Sequence, residues 1–448
     1  MEPCRLSAVE AIKAIKDRRM SVFEWVKSCV SRIDAVEKTL HAWVCFNPGQ
    51  ILEKSRKIDN KINNNNDAGI LCGAPIGVKD IIDTKDMPTC MGSPIWENFT
   101  PGHNARILDR LIWNGGVVAG KTVTSEFGVH YPGPTVNPHN FNHTPGTSSS
   151  GSAVAVAAFM VPMALGTQTL GSLIRPASYN GIYAMKPTFG LIPRVGILKT
   201  TDSLDQVGFF CRTIEDITLF FEVVAHIGPN YPYTLKMSRL EDKKKPYKIA
   251  LVKMPEYVQS KDYVEDAVSK FAESVNEISE VIVEEVKFSS YFNDAWNIHK
   301  VIYEKCLSYY FKNEMANHLD KISTMMKDMI SRGQKISQAE YKKNLEKQIE
   351  LSLKIESFFN DYDFILTQSA TGEAPEGLRA MNDKDSTLIW TMSGVSVLNI
   401  PLFIGPNGLP FGAQLIAKRY DDISLIEFAK YLKEKQLLPD APNPIISY

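Results

Sequence analysis

The chain is short of most features that would classify it at a glance. It has no stretch of about 20 apolar residues, the length a membrane span requires. Its longest apolar run, Ala153 to Leu165, is interrupted by Pro162. The first twenty residues, MEPCRLSAVEAIKAIKDRRM, are charged throughout and lack a secretory apolar core. There is no excess charge of either sign: 50 Lys and Arg face 51 Asp and Glu, a net charge of −1. Nothing electrostatic therefore points to nucleic acid or to an anionic membrane, and neither is expected as a partner. The seven cysteines, Cys4, Cys29, Cys45, Cys72, Cys90, Cys211 and Cys306, never form a C-x-x-C pair. A disulfide framework and a zinc site are both disfavoured, no metal is expected, and a reducing, cytoplasmic compartment fits. Internal repeats and low-complexity linkers are absent too.

The composition, 44% hydrophobic and 23% charged with 27 Gly and 25 Pro, is that of a globular protein and excludes disorder, collagen and coiled coil. At 448 residues the chain can form one oversized α/β domain or two domains. A small-molecule ligand is the default expectation.

From Ser7 to Ile33, apolar residues recur at three and four, with a break at Arg18 and Arg19, which predicts two amphipathic helices. The run Asn63 to Asp67, followed by Gly69, reads as a surface loop. Between Gly73 and Asp216, glycine, proline and small residues crowd around short strand-like runs at Ile76 to Val78, Val117 to Ala119 and Met163 to Gly166. Residues 229–362 turn rich in Lys and Glu and helical in pattern, as expected of a helical insertion or lid. Residues 363–448 return to strand-like runs and close with a helix near Ser424 to Glu434. With no linker in sight, residues 1–448 are expected to form one domain.

Gly115 to Thr122, GGVVAGKT, satisfies the G-x-x-x-x-G-K-[ST] phosphate-loop pattern. The context argues against it. The strand-like run Val117 to Ala119 lies inside the would-be loop, and no helix pattern follows Lys121.

The most informative segment is HTPGTSSSGSAVAVAAFMVPMALGTQTLGSLIRPAS, from His143 to Ser178. Three serines, Ser148 to Ser150, precede a small-residue helix expected near Gly151, and a second Gly-Ser turn stands at Gly171 and Ser172. Alanine and valine on every face mark that helix as buried, so its N-terminal N–H groups would favour an anion or a polarised carbonyl inside the protein. A triple serine alone also fits an ordinary helix cap. No Gly-x-Ser-x-Gly elbow is present, and no His and Asp order accompanies the serines. A buried lysine is an alternative base, because desolvation favours the neutral amine. Lys79, in GAPIGVKDIIDT (Gly73 to Thr84), is the candidate; the competing reading pairs it with Asp80 or Asp83.

These segments resemble the amidase signature family. The similarity includes GAPIGVKDIIDT, GGVVAGKTVTSEF leading into GPTVNPHNFNHTPG, the serine-rich stretch, GIYAMKPTFGLIPR, and NIPLFIGPNGLPFGAQLIAKRYDD near the C-terminus. The resemblance implies an α/β fold with a large, mixed, twisted β-sheet flanked on both faces by helices. It implies a signature core at 73–216, a variable helical insertion at 229–362 and a C-terminal part of the core at 363–448. It further implies a Ser-cis-Ser-Lys triad: Ser172 as acylated nucleophile, Ser148 as the middle serine held by a cis peptide bond and shuttling the proton, and Lys79 as general base. Ser148 and Ser172 stand 24 positions apart, as in the family's triad. Backbone N–H groups of Thr169, Leu170, Gly171 and Ser172 are the implied oxyanion hole, Ser149 and Arg175 support the triad, and no cofactor is required. A small-molecule amide is the implied substrate.

The sequence departs from the family at two turns. Thr147 replaces the usual second glycine of the serine loop, and the nucleophile turn reads Gln168-Thr169-Leu170-Gly171-Ser172-Leu173-Ile174-Arg175. If position 170 needs positive φ, Leu170 is strained there; if its backbone is ordinary, Leu170 and Thr147 narrow the pocket. Phe127, His130, Tyr131, Thr147, Gln168 and Trp390 are candidate pocket residues, each with packing as its plain alternative. Three functional readings stand: a stand-alone amidase, an amidase-like glutaminase subunit of a tRNA-dependent amidotransferase, and a catalytically impaired ligand-binding relative. A homodimer is compatible with all three.

Overall fold

The computed structural model describes residues 2–225, 237–380 and 385–446. The expected boundary at Pro229 lies outside them.

Eleven strands form a single mixed sheet. In chain order they are β1 (Trp43–Phe46), β2 (Pro75–Lys79), β3 (Val117–Thr122), β4 (Met163–Gln168), β5 (Tyr183–Lys186), β6 (Gln206–Cys211), β7 (Tyr247–Lys253), β8 (Val281–Lys287), β9 (Phe364–Gln368), β10 (Ser396–Ile404) and β11 (Pro410–Ala417). Their spatial order is β1-β3-β2-β4-β6-β5-β10-β11-β9-β7-β8. The β3-β2-β4 and β9-β7-β8 groups are parallel, and the remaining pairs are antiparallel. Every residue of β2, β3, β4 and β6 is buried, which is why these strands read as continuous apolar or small-residue runs and do not alternate. This is the mixed, helix-flanked sheet that the resemblance implies.

The two N-terminal helices form as expected, Ala8–Lys16 and Val22–Leu40, each opened by a serine capping box, Ser7 with Glu10 and Ser21 with Glu24. The phosphate-loop pattern is a strand: Gly120 and Lys121 lie within β3, and a Cβ at Gly120 would stand 2.3 Å from the Cys45 carbonyl oxygen of β1. That glycine serves close strand packing, and Lys121 is consumed by a buried pair described below.

Residues 229–362 correct one expectation. Most of the described part is helical, including Ala295–Tyr310, Thr324–Lys335 and Gln338–Phe358, but the segment also contributes β7 and β8. These strands escape a reading by composition because Lys and Glu occupy their exposed positions, as at Glu284 and Glu285 on the edge strand β8. No described helix is long and apolar enough to cross a membrane.

Candidate active site

Lys79 ends β2 in the middle of the molecule and is fully buried. Its Nζ lies 2.6 Å from Ser148 Oγ, 3.0 Å from Ser149 Oγ and 2.7 Å from Thr167 Oγ1. Burial pushes the amine down to about 7, with the Asp205 carboxylate acting in the opposite direction. The competing ion pairs are not formed. Asp80 is held by Lys121 at 3.1 Å, both fully buried, and Asp83 faces His103 at 3.4 Å. Lys121 further donates to the Pro88 carbonyl and to Thr89 Oγ1, so the lysine of the phosphate-loop pattern has its ammonium enclosed.

The serine loop turns through positive φ at Gly146 and Ser148, both at 89°. The peptide bond entering Ser148 is trans, which corrects the expected cis geometry; among the described residues the cis bond is Lys245–Pro246. A non-proline cis bond costs about 2.5–4 kcal/mol, and positive φ on both sides of buried Thr147 turns the chain without it. Ser148 Oγ lies 2.9 Å from the Gly128 carbonyl oxygen. Ser149 Oγ donates to the Thr167 carbonyl and accepts from the Thr167 N–H, tying the loop to β4. The helix that follows, Ser150–Ala157, is buried at every residue.

Ser172 stands one turn beyond β4 and is 7% exposed. Among the described residues its Oγ has no hydrogen bond, and no bond joins it to Ser148. The preceding turn is clamped by its carbonyls. The Thr169 oxygen accepts from His299 Nε2 at 2.9 Å, the Leu170 oxygen from Thr391 Oγ1 at 2.7 Å, and the Gly171 oxygen from the Arg175 N–H at 3.1 Å. Thr387 Oγ1 lies 2.8 Å from both the Leu170 oxygen and Asp385 Oδ1. The N–H groups of Leu170, Gly171 and Ser172 make no hydrogen bond among the described residues. Leu170 has no positive φ, so the strain alternative is not realised; its side chain is buried in the core.

Arg175 and Asp385 form a buried pair at 2.6 Å. The turn packs directly on this carboxylate: a Cβ at Gly171 would stand 2.0 Å from Asp385 Oδ2, so glycine is required there. Gln168 is a brace, with Oε1 accepting from the Leu173 and Ile174 N–H groups and Nε2 donating to Thr391 Oγ1. Thr169 Oγ1 reaches Asp205 Oδ1 at 2.9 Å, and the Asp205 carboxylate also gathers the N–H and hydroxyl groups of Thr200 and Thr201.

A cavity of about 250 Å³ is lined by Phe127, Gly128, Thr167, Thr169, Asp205 and neighbouring residues, adjoining the lysine and serine cluster. Phe127 is fully buried against Phe311. The other pocket candidates fall elsewhere. Tyr131, 39% exposed, lines a separate groove with Glu126 and Ser323 and carries Arg379 over its ring. Trp390 is fully buried beside Phe288. His130 packs edge-on against Tyr303, and burial pushes it down to about 3. Thr167, Asp205, His299, Asp385 and Thr391 were not singled out by the sequence, because each belongs to the site only through contacts between distant segments.

The family model described as Amidase matches residues 24–426. The chain is 38% identical over 235 residues to a glutamyl-tRNA(Gln) amidotransferase subunit of Carboxydothermus hydrogenoformans, covering 51% of this chain and 48% of that protein. The match to the corresponding subunit from Brachyspira hyodysenteriae is 27% over 480 residues, covering 96% and 98%. Against the relatives at 37–38% identity, the match spans only about half the length of each relative. Among solved structures, an inhibitor-bound complex bearing on the origins of an s-triazine catabolic enzyme superposes with a TM-score of 0.88 at 23% identity, covering 98% of this chain and 100% of that one. The peptide amidase of Stenotrophomonas maltophilia superposes with a TM-score of 0.82 at 22% identity, covering 98% and 99%. At these identities the structures establish the fold.

Proposed function

The chain belongs to the Amidase family, and on that premise we propose that it hydrolyses a carboxylic amide through an acyl-enzyme on Ser172, with Ser148 relaying the proton and Lys79 as base. The observation that carries this reading is the 2.6 Å contact between Lys79 Nζ and Ser148 Oγ in a fully buried setting. A neutral amine offers two N–H donors and one lone pair, matching the three hydroxyls around Nζ. At rest Ser148 accepts from Lys79 and donates to the Gly128 carbonyl, and its hydroxyl turns from that carbonyl to the Lys79 lone pair as the proton moves.

In the forward step Lys79 takes the Ser148 proton while Ser148 takes that of Ser172, and Ser172 Oγ bonds to the amide carbon. The negative oxygen faces the N–H groups of the turn that leads into Ser172, where one donor is worth about 2.7–4 kcal/mol in comparable sites. Collapse breaks the C–N bond as the proton returns through Ser148 to the departing amine. Water then attacks the ester, gives its proton back along the same path, and releases the carboxylic acid and Ser172. The open Ser148 to Ser172 link is expected to close when substrate binds, since such contacts tighten in the reacting complex. The cavity that Phe127, Gly128, Thr167 and Thr169 line is our candidate for the acyl pocket, since Thr167 and Gly128 also bond Lys79 and Ser148. The seven free thiols support a cytoplasmic location.

The test is intact mass after exposure to a fluorophosphonate. Wild type gains one phosphonyl group, Ser172→Ala gains none, and Lys79→Ala reacts far more slowly. A folded wild type that stays unlabelled, or labelling that survives Ser172→Ala, overturns the reading. The near full-length match to an amidotransferase subunit favours a second reading, in which the ammonia passes to a partner.

A further inference from the structure

Within a trans peptide unit the C=O and the N–H of the next residue lie in one plane and point in opposite directions. Fixing one therefore aims the other. The carbonyls of Thr169, Leu170 and Gly171 are each held by a hydrogen bond, and the N–H groups of Leu170, Gly171 and Ser172, which complete those same three units, carry none among the described residues. We propose that His299 and Thr391 are positioning residues of the oxyanion hole: by gripping the Thr169 and Leu170 carbonyls from behind, they aim the Leu170 and Gly171 N–H groups at the oxygen of the acyl group on Ser172. This rests on the hydrolase reading above and adds to it which residues preorganise the site.

The two grips come from different parts of the chain. His299 lies on the helix Ala295–Tyr310, within the stretch expected to be an insertion, and is 3% exposed. Burial pushes its imidazole down to about 4, so the ring carries a single proton at neutral pH. A carbonyl only accepts, so that proton sits on Nε2. Thr391 lies on the helix Leu388–Ser393; Gln168 Nε2 donates to its hydroxyl oxygen, and of the two carbonyls its proton can reach, Leu170 at 2.7 Å and Thr387 at 3.1 Å, the shorter contact is to Leu170. Oxyanion stabilisation depends on donors fixed before the charge develops, so a turn free to rotate these peptide planes would spend reaction energy on reorganisation. A clamp on the carbonyl side supplies that fixity without occupying the space where the substrate oxygen must sit. The helix 295–310 therefore does more than border the site: it holds one of the peptides at the reacting centre.

The experiment compares second-order rates of fluorophosphonate labelling at Ser172, by intact mass, for wild type, His299→Ala, His299→Gln, Thr391→Val and Thr391→Ser, with Tm measured for each. The phosphonyl oxygen occupies the place of the oxyanion, so the rate reads the hole. Losing one oxyanion donor outright costs about 10²–10³ in rate, and misaiming one is expected to slow labelling at least about tenfold in His299→Ala and Thr391→Val. The conservative variants His299→Gln and Thr391→Ser retain a donor at the same reach and are expected to regain most of the rate. Equal labelling by wild type, His299→Ala and Thr391→Val overturns the proposal while the hydrolase reading stands. Conservative variants as slow as the truncations also overturn it, because side-chain volume and not the hydrogen bond would then matter. Absence of labelling in wild type overturns the hydrolase reading and this proposal with it. If His299→Ala does not fold, the isosteric Thr391→Val against Thr391→Ser decides, both made with Thr387→Val so that Thr387 Oγ1 cannot hold the Leu170 carbonyl in its place.

Discussion

At Lys79, burial disfavours the ammonium and the Asp205 charge favours it, and burial wins, leaving the amine near 7. As the proposed base, Lys79 would work only when neutral, so Ser172 labelling is expected to rise with pH through about 7 and level off above it. Asp205→Asn removes the opposing charge, which lowers the Lys79 value further and moves the inflection to lower pH; an inflection that stays put or rises contradicts this assignment. Stability carries the same signature. Lys79 and Lys186 are both fully buried and both lie near 7 in the folded chain against an ordinary 10.5. Between these values the unfolded chain binds more protons, so their penalty is largest at and below about 7 and is relieved as pH rises toward 10.5. Denaturant midpoints are expected to increase from about pH 7 to about pH 9 by this contribution, with a shallower rise in Lys186→Met; an unchanged slope counts against it. Lys79 and Ser148 meet as the resemblance led one to expect, at 2.6 Å, while their local motifs alone left ordinary packing and capping open. His299, Thr391 and Asp205 were not legible in the sequence, since nothing in their own neighbourhoods announces a role that consists of touching a turn 130, 221 or 36 residues away.

Adjacent strands show how one pattern can suggest the wrong chemistry. Lys121 on β3 is the lysine of a complete phosphate-loop pattern, yet its ammonium is shut in by Asp80, Thr89 and the Pro88 carbonyl. Asp80 follows Lys79 directly and also accepts from the Cys90 N–H, so this pair fixes the exit of β2 just beyond Lys79. Removing one member of a buried pair leaves an uncompensated charge. Lys121→Met is expected to cost about 3–5 kcal/mol in a denaturant melt, and calorimetric titration of wild type with ATP is expected to show no heat of binding. A variant within about 1 kcal/mol of wild type would mean that solvent reaches Asp80. Element existence was clear in the sequence wherever period and burial agreed, as in the N-terminal helices and in β2, β3 and β4. β7 was missed because its parallel pairing with β9 joins residues as far apart as Ile249 and Phe364, and β8, the edge strand beside β7, because a Lys- and Glu-rich texture looks the same on an exposed strand as on a helix.

On the scale of the whole molecule, the site is assembled from one chain. β2 supplies Lys79, the loop before the helix 150–157 supplies Ser148 and Ser149, the turn after β4 supplies Ser172, and the helices 295–310 and 388–393 hold that turn from behind. We propose on this ground that residues 1–448 act as one unit in which the 229–362 segment is part of the working architecture. The resemblance to an amidotransferase subunit raises the alternative that a second protein must complete the site or receive the ammonia. These differ in what the purified chain does alone. With lysine, both serines and the clamp all internal, the chain is expected to label at Ser172 and to release ammonia from a small neutral amide with no added protein or tRNA, at a rate linear in enzyme concentration. Light scattering on the same sample gives the assembly state in which that activity resides, including a homodimer. Labelling without ammonia release from any amide tried, and gain of release only when a co-purifying subunit is restored, would transfer the function to the complex. The triad would then stand as an acylation centre whose turnover is gated from outside the chain.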